Sequence, residues 1–445
     1  MLLTPSVRSQ GQRSRRIRRT VALSSPRNTV RAVEHAIERR DGCVSVLAAG
    51  SHRASVDRVN GLLRGAVSLA VLGLLSGCAA DNTPVVPSDT GSPASVPSPS
   101  PTFDPIADLT LAQRVGQLFM VGTTASAPGQ VTLDAISQRH VGSVFLSGRS
   151  TAGVPATAAV VSTFTSLVNQ STTGGQPLLV ATDQEGGYVQ VLQGTGFSRI
   201  PSGLEQGEMP TGQLQTSAQA WGAQLRAAGV NMNLAPVVDL VDSARAAAAN
   251  PPIGVFHREF GFDVATIESH ADAFRAGMSS SGVATVIKHF PGLGDVSANT
   301  DTSTGVTDTR IGPDDPSVAI YRSEIAAGAR CIMVSSAVYT RIDGSAPAIF
   351  SPTVVGSLLR DQLGFRGLVM SDDLSAARQV AAWSPADRAI LAIQAGADIV
   401  LVSADPTVAP QMVDAVLAKA QSDAAFAKLV DSAARRVVAL KSELD

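Results

Sequence analysis

Val283-Ala-Thr-Val-Ile287, running directly into Lys288-His289-Phe290-Pro291-Gly292, is the stretch on which the reading of this 445-residue chain turns. Five residues of buried-strand type give way to two polar side chains and then to a Pro-Gly turn. A parallel sheet presents functional groups in this manner, at the carboxyl ends of its strands. The plainer alternative is a surface turn that happens to carry Lys and His.

The same pattern recurs outward from this point. Short runs rich in Val, Ile and Leu occupy 115–121, 141–146, 178–182, 230–234, 284–288, 331–335, 367–371 and 399–402. Between them lie stretches of helical period at 155–168, 213–228, 264–280, 317–327, 352–363 and 385–395. Strands that alternate with helices predict parallel pairing, and eight of them predict a closed (β/α)8 barrel. The first two runs are the weakest, so a count of seven and an open doubly wound sheet form the alternative. Polar residues cluster after the runs: Asp183 and Glu185, Asp239, Lys288 and His289, Ser335 and Ser336, Asp372 and Asp373. In a barrel these ends meet on one face.

A net charge of −2 hides an asymmetry. Residues 1–77 hold 13 of the 35 basic residues and 4 of the 37 acidic ones, which leaves 22 bases against 33 acids beyond them. That acidic remainder argues against nucleic acid or anionic lipid as a partner of the folded part. Three cysteines, Cys43, Cys78 and Cys331, provide neither a disulfide framework nor a zinc cluster. Cys331 sits in an apolar run and reads as a buried free thiol. No Gly-rich nucleotide-binding loop occurs, and no metal or organic cofactor is implied.

Residues 62–75 are apolar apart from Arg64 and Ser68, too short a run to span a bilayer comfortably, and they lead into Leu75-Ser76-Gly77-Cys78. This resembles the bacterial lipobox, which implies cleavage before Cys78, its lipidation, and an extracytoplasmic protein held to the membrane by that anchor alone. The domain plan expected is a targeting segment over 1–77, a Pro/Ser/Thr tether over 78–105, and a catalytic domain over 106–445. Residues 1–55 are Arg-rich without apolar period and read as disordered, or as lying upstream of the true start.

Three further stretches join the opening one: Asp183-Gln-Glu-Gly-Gly187, Asn233-Leu-Ala-Pro-Val-Val-Asp239 and Val369-Met-Ser-Asp-Asp-Leu374. With Leu109-Thr-Leu-Ala-Gln-Arg-Val-Gly-Gln-Leu-Phe119 and Ala395-Gly-Ala-Asp398 they resemble the family-three glycoside hydrolases, in the NagZ-like β-N-acetylhexosaminidase branch. The resemblance implies a monomeric, retaining exo-enzyme that removes β-linked GlcNAc from cell-wall fragments by way of a glycosyl-aspartate. It implies Asp372 as nucleophile, with Asp373 structural, and Asp183, Arg258, Lys288 and His289 as sugar-binding residues. Two departures stand out. Val191 occupies a position where the branch carries an arginine. The branch's Asp-Ser-His acid/base motif is replaced by Asn299-Thr300-Asp301, and no histidine follows His289. Asp301 is therefore the expected acid/base, with neutral Asn299 beside it in place of a second, repelling carboxylate. Asp295 or Glu185 would be the substitutes if Asn-Thr-Asp were only a polar turn. Other readings are a phosphorylase, a β-glucosidase, or a sugar-binding lipoprotein without strong catalysis.

Overall fold

The structure, a computed structural model, describes residues 104–444; Cys78, the targeting segment and nearly all of the tether lie outside them. Eight parallel strands close on themselves: β1 (Phe119–Thr124), β2 (Ser143–Ser147), β3 (Leu179–Thr182), β4 (Met232–Asn233), β5 (Ala284–Phe290), β6 (Cys331–Val334), β7 (Leu368–Asp373) and β8 (Ile399–Val402). Each strand pairs with the next in sequence, and β8 pairs back to β1 through Phe119↔Val400. Closure excludes the open sheet.

Period-two alternation explains the packing. Met120, Phe145, Leu179, Met232, Val286, Met333, Met370 and Leu401 point inward and fill the barrel. Their neighbours Val121, Val144, Val180, Ile332, Val369 and Val400 pack outward in the larger core beneath the helices. Cys331 belongs to the inner set; it is buried and free, and burial pushes its thiol up to about 12.

Five predicted helices fall where expected, among them Val264–Ser280 and Pro385–Ala395; a sixth, Thr353–Gln362, is wound as a wider π-helix. The first strand is displaced. Thr110 caps the helix Leu111–Gln117 through a reciprocal capping box with Gln113, so Val115 belongs to that helix and β1 begins only at Phe119. The apolar run at 115–121 spans the end of one element and the start of another, which hydropathy alone does not separate. Periodicity also passed over Gln130–Arg139, Ala409–Ser422 and the C-terminal helix Ala424–Ser442. The last of these closes the lower end of the barrel with Val437 and Leu440, joined by Leu444 just past its end. Its Lys441, almost fully buried, donates to Gln117 Oε1 and to the Gly142 carbonyl at 2.8 Å.

Asp398 of the Ala395-Gly-Ala-Asp398 motif has a scaffold role. It is fully buried and takes Arg360 Nη2 at 2.7 Å, Arg436 Nε at 2.8 Å and the Val369 amide at 2.8 Å. One carboxylate thus ties the last helix and an outer helix to β7.

Candidate active site

Strand β5 continues two residues past the apolar run at 284–288, so His289 as well as Lys288 lies within the strand and not in the loop after it. The Lys288–His289 peptide is cis, as are Ala235–Pro236 and Phe290–Pro291. Lys288 Nζ reaches Asp183 Oδ1 at 2.7 Å and Glu185 Oε1 at 2.5 Å. Glu185 also receives both arms of the Arg258 guanidinium at 2.8 Å, a bidentate pair. Burial alone would raise the Glu185 carboxyl, but Arg258 and Lys288 outweigh it and hold it at about 2. For Lys288, burial is likewise outweighed, here by Asp183 and Glu185, and its pKa is raised. Glu185 is thereby locked as an anion and has no proton to give at neutral pH.

Arg258 Nη2 lies 3.3 Å from His289 Nε2, and His289 Nδ1 lies 2.7 Å from Asp239 Oδ2. If the guanidinium donates to Nε2, the ring proton sits on Nδ1 and is donated to Asp239. Asp239 is fixed in turn by the amides of His289 at 3.3 Å and Leu293 at 2.7 Å. Glu185, read from the sequence as a polar strand end and a substitute acid/base, and Asp239, read as a polar strand end, are the two residues over which Arg258, His289 and Lys288 are strung.

The motif glycines have a backbone reason. After Glu185 the chain turns into a two-stranded hairpin, Gln184–Gly186 against Val189–Gln190, and Gly186 has φ 116°. A Cβ there would lie 2.0 Å from the Pro201 carbonyl oxygen.

Asp372 and Asp373 end β7 with different environments. Asp373 is buried and accepts from Ser375 Oγ (2.6 Å), Ala376 N (2.8 Å), Ser403 N (2.8 Å), Ser403 Oγ (2.9 Å) and Ala404 N (3.2 Å). It fastens the β7 and β8 loops together. Asp372 is half-buried and accepts one bond, from the Asp373 amide at 2.8 Å.

Asp183, Arg258, Lys288, His289, Asp301 and Asp372 all line one cavity of ≈ 320 Å³ at the barrel mouth, floored by Phe145, Met333 and Leu401. Asp301 is an exposed loop residue on the rim of the cavity. Loss of water around its carboxyl, then the charges of Asp372 and Asp373, raise its pKa to about 7. Its loop is pinned rather than open: the Arg378 amide donates to the Asp301 carbonyl at 3.1 Å, and Asn299 Oδ1 takes the Asp301 amide at 2.8 Å. Asp295 lines no part of this cavity; it pairs with Arg310 at 2.5 Å, and burial raises its carboxyl to about 6. Ser335 and Ser336 are buried and do not border the cavity either.

A closed parallel barrel with two carboxyls at its carboxyl-end mouth is an arrangement that suits glycoside hydrolysis, and sequence comparison gives the family. The profile of the glycosyl hydrolase family 3 N-terminal domain matches residues 110–440, and the chain belongs to that family. A crystal structure of β-N-acetylhexosaminidase from Beutenbergia cavernae is 64% identical, with a TM-score of 0.75, over 76% of this chain and 99% of that one. Beta-hexosaminidase LpqI of Mycobacterium tuberculosis is 31% identical over 76% of this chain and 86% of its own length. A beta-hexosaminidase of Vibrio cholerae is 35% identical over 54% of this chain and 70% of its own.

Proposed function

We propose that this chain is a β-N-acetylhexosaminidase that removes terminal β-linked GlcNAc with retention of configuration. The observation that carries the mechanism is the placing of two carboxyls on one small cavity, Asp372 half-buried and Asp301 raised to about 7. The activity itself is supported by the family and by relatives described as β-hexosaminidases.

In the first step an oxygen of Asp372 bonds to the anomeric carbon as the glycosidic bond breaks, and the departing oxygen takes the proton of Asp301. In the second, Asp301, now a carboxylate, removes a proton from water; the water oxygen bonds to the anomeric carbon and Asp372 departs. Lys288 and Asp183 hold sugar hydroxyls, with His289 and Arg258 completing the grip. A carboxylate at 301 repels phosphate in the second step, which favours hydrolysis over phosphorolysis. The natural substrate we infer is a cell-wall fragment, met outside the cytoplasmic membrane by an enzyme anchored through Cys78. A fungal relative described as a secreted glycosyl hydrolase, 29% identical, accords with an exported protein.

The test is turnover of aryl β-GlcNAc by the wild type and by Asp301→Ala, with and without azide, together with labelling by a 5-fluoro GlcNAc donor. A β-glycosyl azide from the variant and a label on Asp372 are expected. Unimpaired turnover by Asp301→Ala, or a label elsewhere, would overturn the assignments.

A further inference from the structure

Asn250 lies between β4 and the helix Val264–Ser280 and is almost fully buried. Its side-chain amide is engaged on both sides. Nδ2 donates to the carbonyls of Leu293 at 2.8 Å, Gly294 at 3.0 Å and Val296 at 3.0 Å. Oδ1 accepts from the amides of Ile253 at 2.9 Å and Gly254 at 3.0 Å. Three carbonyls on one side and two amides on the other leave the group a single orientation. Asn250 is not among the walls of the cavity at the barrel mouth, whereas its neighbours Pro252, Arg258 and Leu293 are.

Each side of this amide leads to the sugar-binding group. Oδ1 closes the turn that starts at Asn250, and that turn holds Arg258 twice. The Pro252 carbonyl accepts from Arg258 Nη1 at 2.8 Å, and the Ile253 carbonyl accepts from the Arg258 amide at 3.3 Å. The guanidinium is thereby fixed at one end by the turn and at the other by Glu185, with Nη2 beside His289. Nδ2 fastens the Leu293 carbonyl, while the Leu293 amide donates to Asp239, the carboxylate that holds His289. The two loops meet with no room to spare, since a Cβ on Gly294 would lie 1.7 Å from the Leu240 carbonyl oxygen. Without the Asn250 amide, two N–H groups and three carbonyls at this junction lose a partner.

Resting on the hexosaminidase reading, the structure assigns Asn250 as a positioning residue: by way of the turn it sets Arg258 for the terminal sugar, without touching the sugar itself. A carboxamide supplies donors and an acceptor at once. A carboxylate would keep the acceptor and turn a second oxygen toward three carbonyls.

The experiment is a double-mutant cycle in the full chain. It measures kcat/KM for 4-methylumbelliferyl β-GlcNAc in the wild type, Asn250→Ala, Arg258→Ala and the pair, each rate taken per folded enzyme from circular dichroism. Asn250→Ala is expected to lower kcat/KM about 10–100-fold, the scale of a misplaced binding group. In the Arg258→Ala background the same change should cost no more than about threefold, because the residue it positions is gone. A 2,4-dinitrophenyl glycoside should show the same loss, since proton delivery is not what weakens. Unchanged kcat/KM in Asn250→Ala, or equal losses in both backgrounds, overturns the assignment. A loss confined to the poorer leaving group also overturns it, by moving the action of Asn250 to the Asp301 loop. Should Asn250→Ala not fold, Asn250→Ser, which keeps one donor, enters the cycle; if neither folds, Asn250 is scaffold alone and the assignment fails. All of these outcomes leave the hexosaminidase reading standing. A wild type that does not cleave β-GlcNAc removes that reading, and the assignment with it.

Discussion

The side-chain amide of Gln379 is bonded at both ends to the backbone of Val306, with Oε1 accepting from the Val306 amide at 2.8 Å and Nε2 donating to its carbonyl at 3.0 Å. The Gln379 backbone amide donates to Thr300 at 3.0 Å, so one buried residue of the β7 loop holds the Asp301 loop on both sides. Gln379 is then a positioning residue for the acid/base proposed at Asp301. Gln379→Leu should slow hydrolysis of substrates with poor leaving groups about 10–100-fold, within the range general acid catalysis supplies. For a 2,4-dinitrophenyl glycoside, which departs without a proton, the loss should stay under about threefold. Equal losses for both would mean simple structural damage.

As the proposed acid/base, Asp301 should set the pH dependence. Its carboxyl is raised from the ordinary range to about 7, and the first step needs it protonated, so kcat/KM should decline above about pH 7. The sign for stability follows from the same shift. A carboxyl whose pKa is raised by folding adds stability below its unfolded value near 4 and loses that contribution as pH rises through about 7. Asp301→Asn should therefore raise Tm at pH 8 relative to wild type, with the gain fading toward pH 4. A Tm difference independent of pH would contradict this.

Lys288 is the sole cation bridging Asp183 and Glu185 among the described ion pairs, and it is buried. Removing one partner of a buried charge cluster strands the others, at a cost of about 3–5 kcal/mol. Lys288→Met should show that loss in urea unfolding, together with a large fall in kcat/KM. The stabilisation from Glu185, held at about 2, is present above its ordinary value of 4.5 and disappears as pH falls toward 2. The variant should consequently unfold at a higher pH than wild type during acid titration.

The neighbours Asp372 and Asp373 should separate cleanly. Asp372→Asn, whose amide oxygen can still accept the single bond from the Asp373 amide, should keep its Tm within a few degrees while kcat falls at least about a thousandfold. Asp373→Ala strands several donors and should cost about 2–4 kcal/mol of stability. Circular dichroism melts beside single-turnover rates decide the matter.

Composition and period made much of this legible. The eight apolar runs correspond to the eight barrel strands, because residues that are buried on both faces of a parallel sheet must be apolar nearly throughout. The side chains at their ends converge as the barrel closes. Where the reading slipped, local signals were mixed: a capped helix ran into β1, and His289 was left beyond the run at 284–288 although it belongs to the strand.

By itself the sequence determined the strand–helix alternation and several of the polar groups at the mouth, since these depend on periodicities of two and 3.6 residues, while closure of the sheet and the exclusion of Ser335 and Ser336 from the cavity came with the structure. Only the tertiary structure decided how those groups are divided. The contact of Lys288 with Asp183, the clamp of Arg258 on Glu185, the Asp239–His289 contact, and the Gln379 clip join residues 50 to 105 positions apart. Burial and neighbouring charge at those meetings hold Glu185 at about 2 and bring Asp301 to about 7, and no local pattern in the chain encodes either.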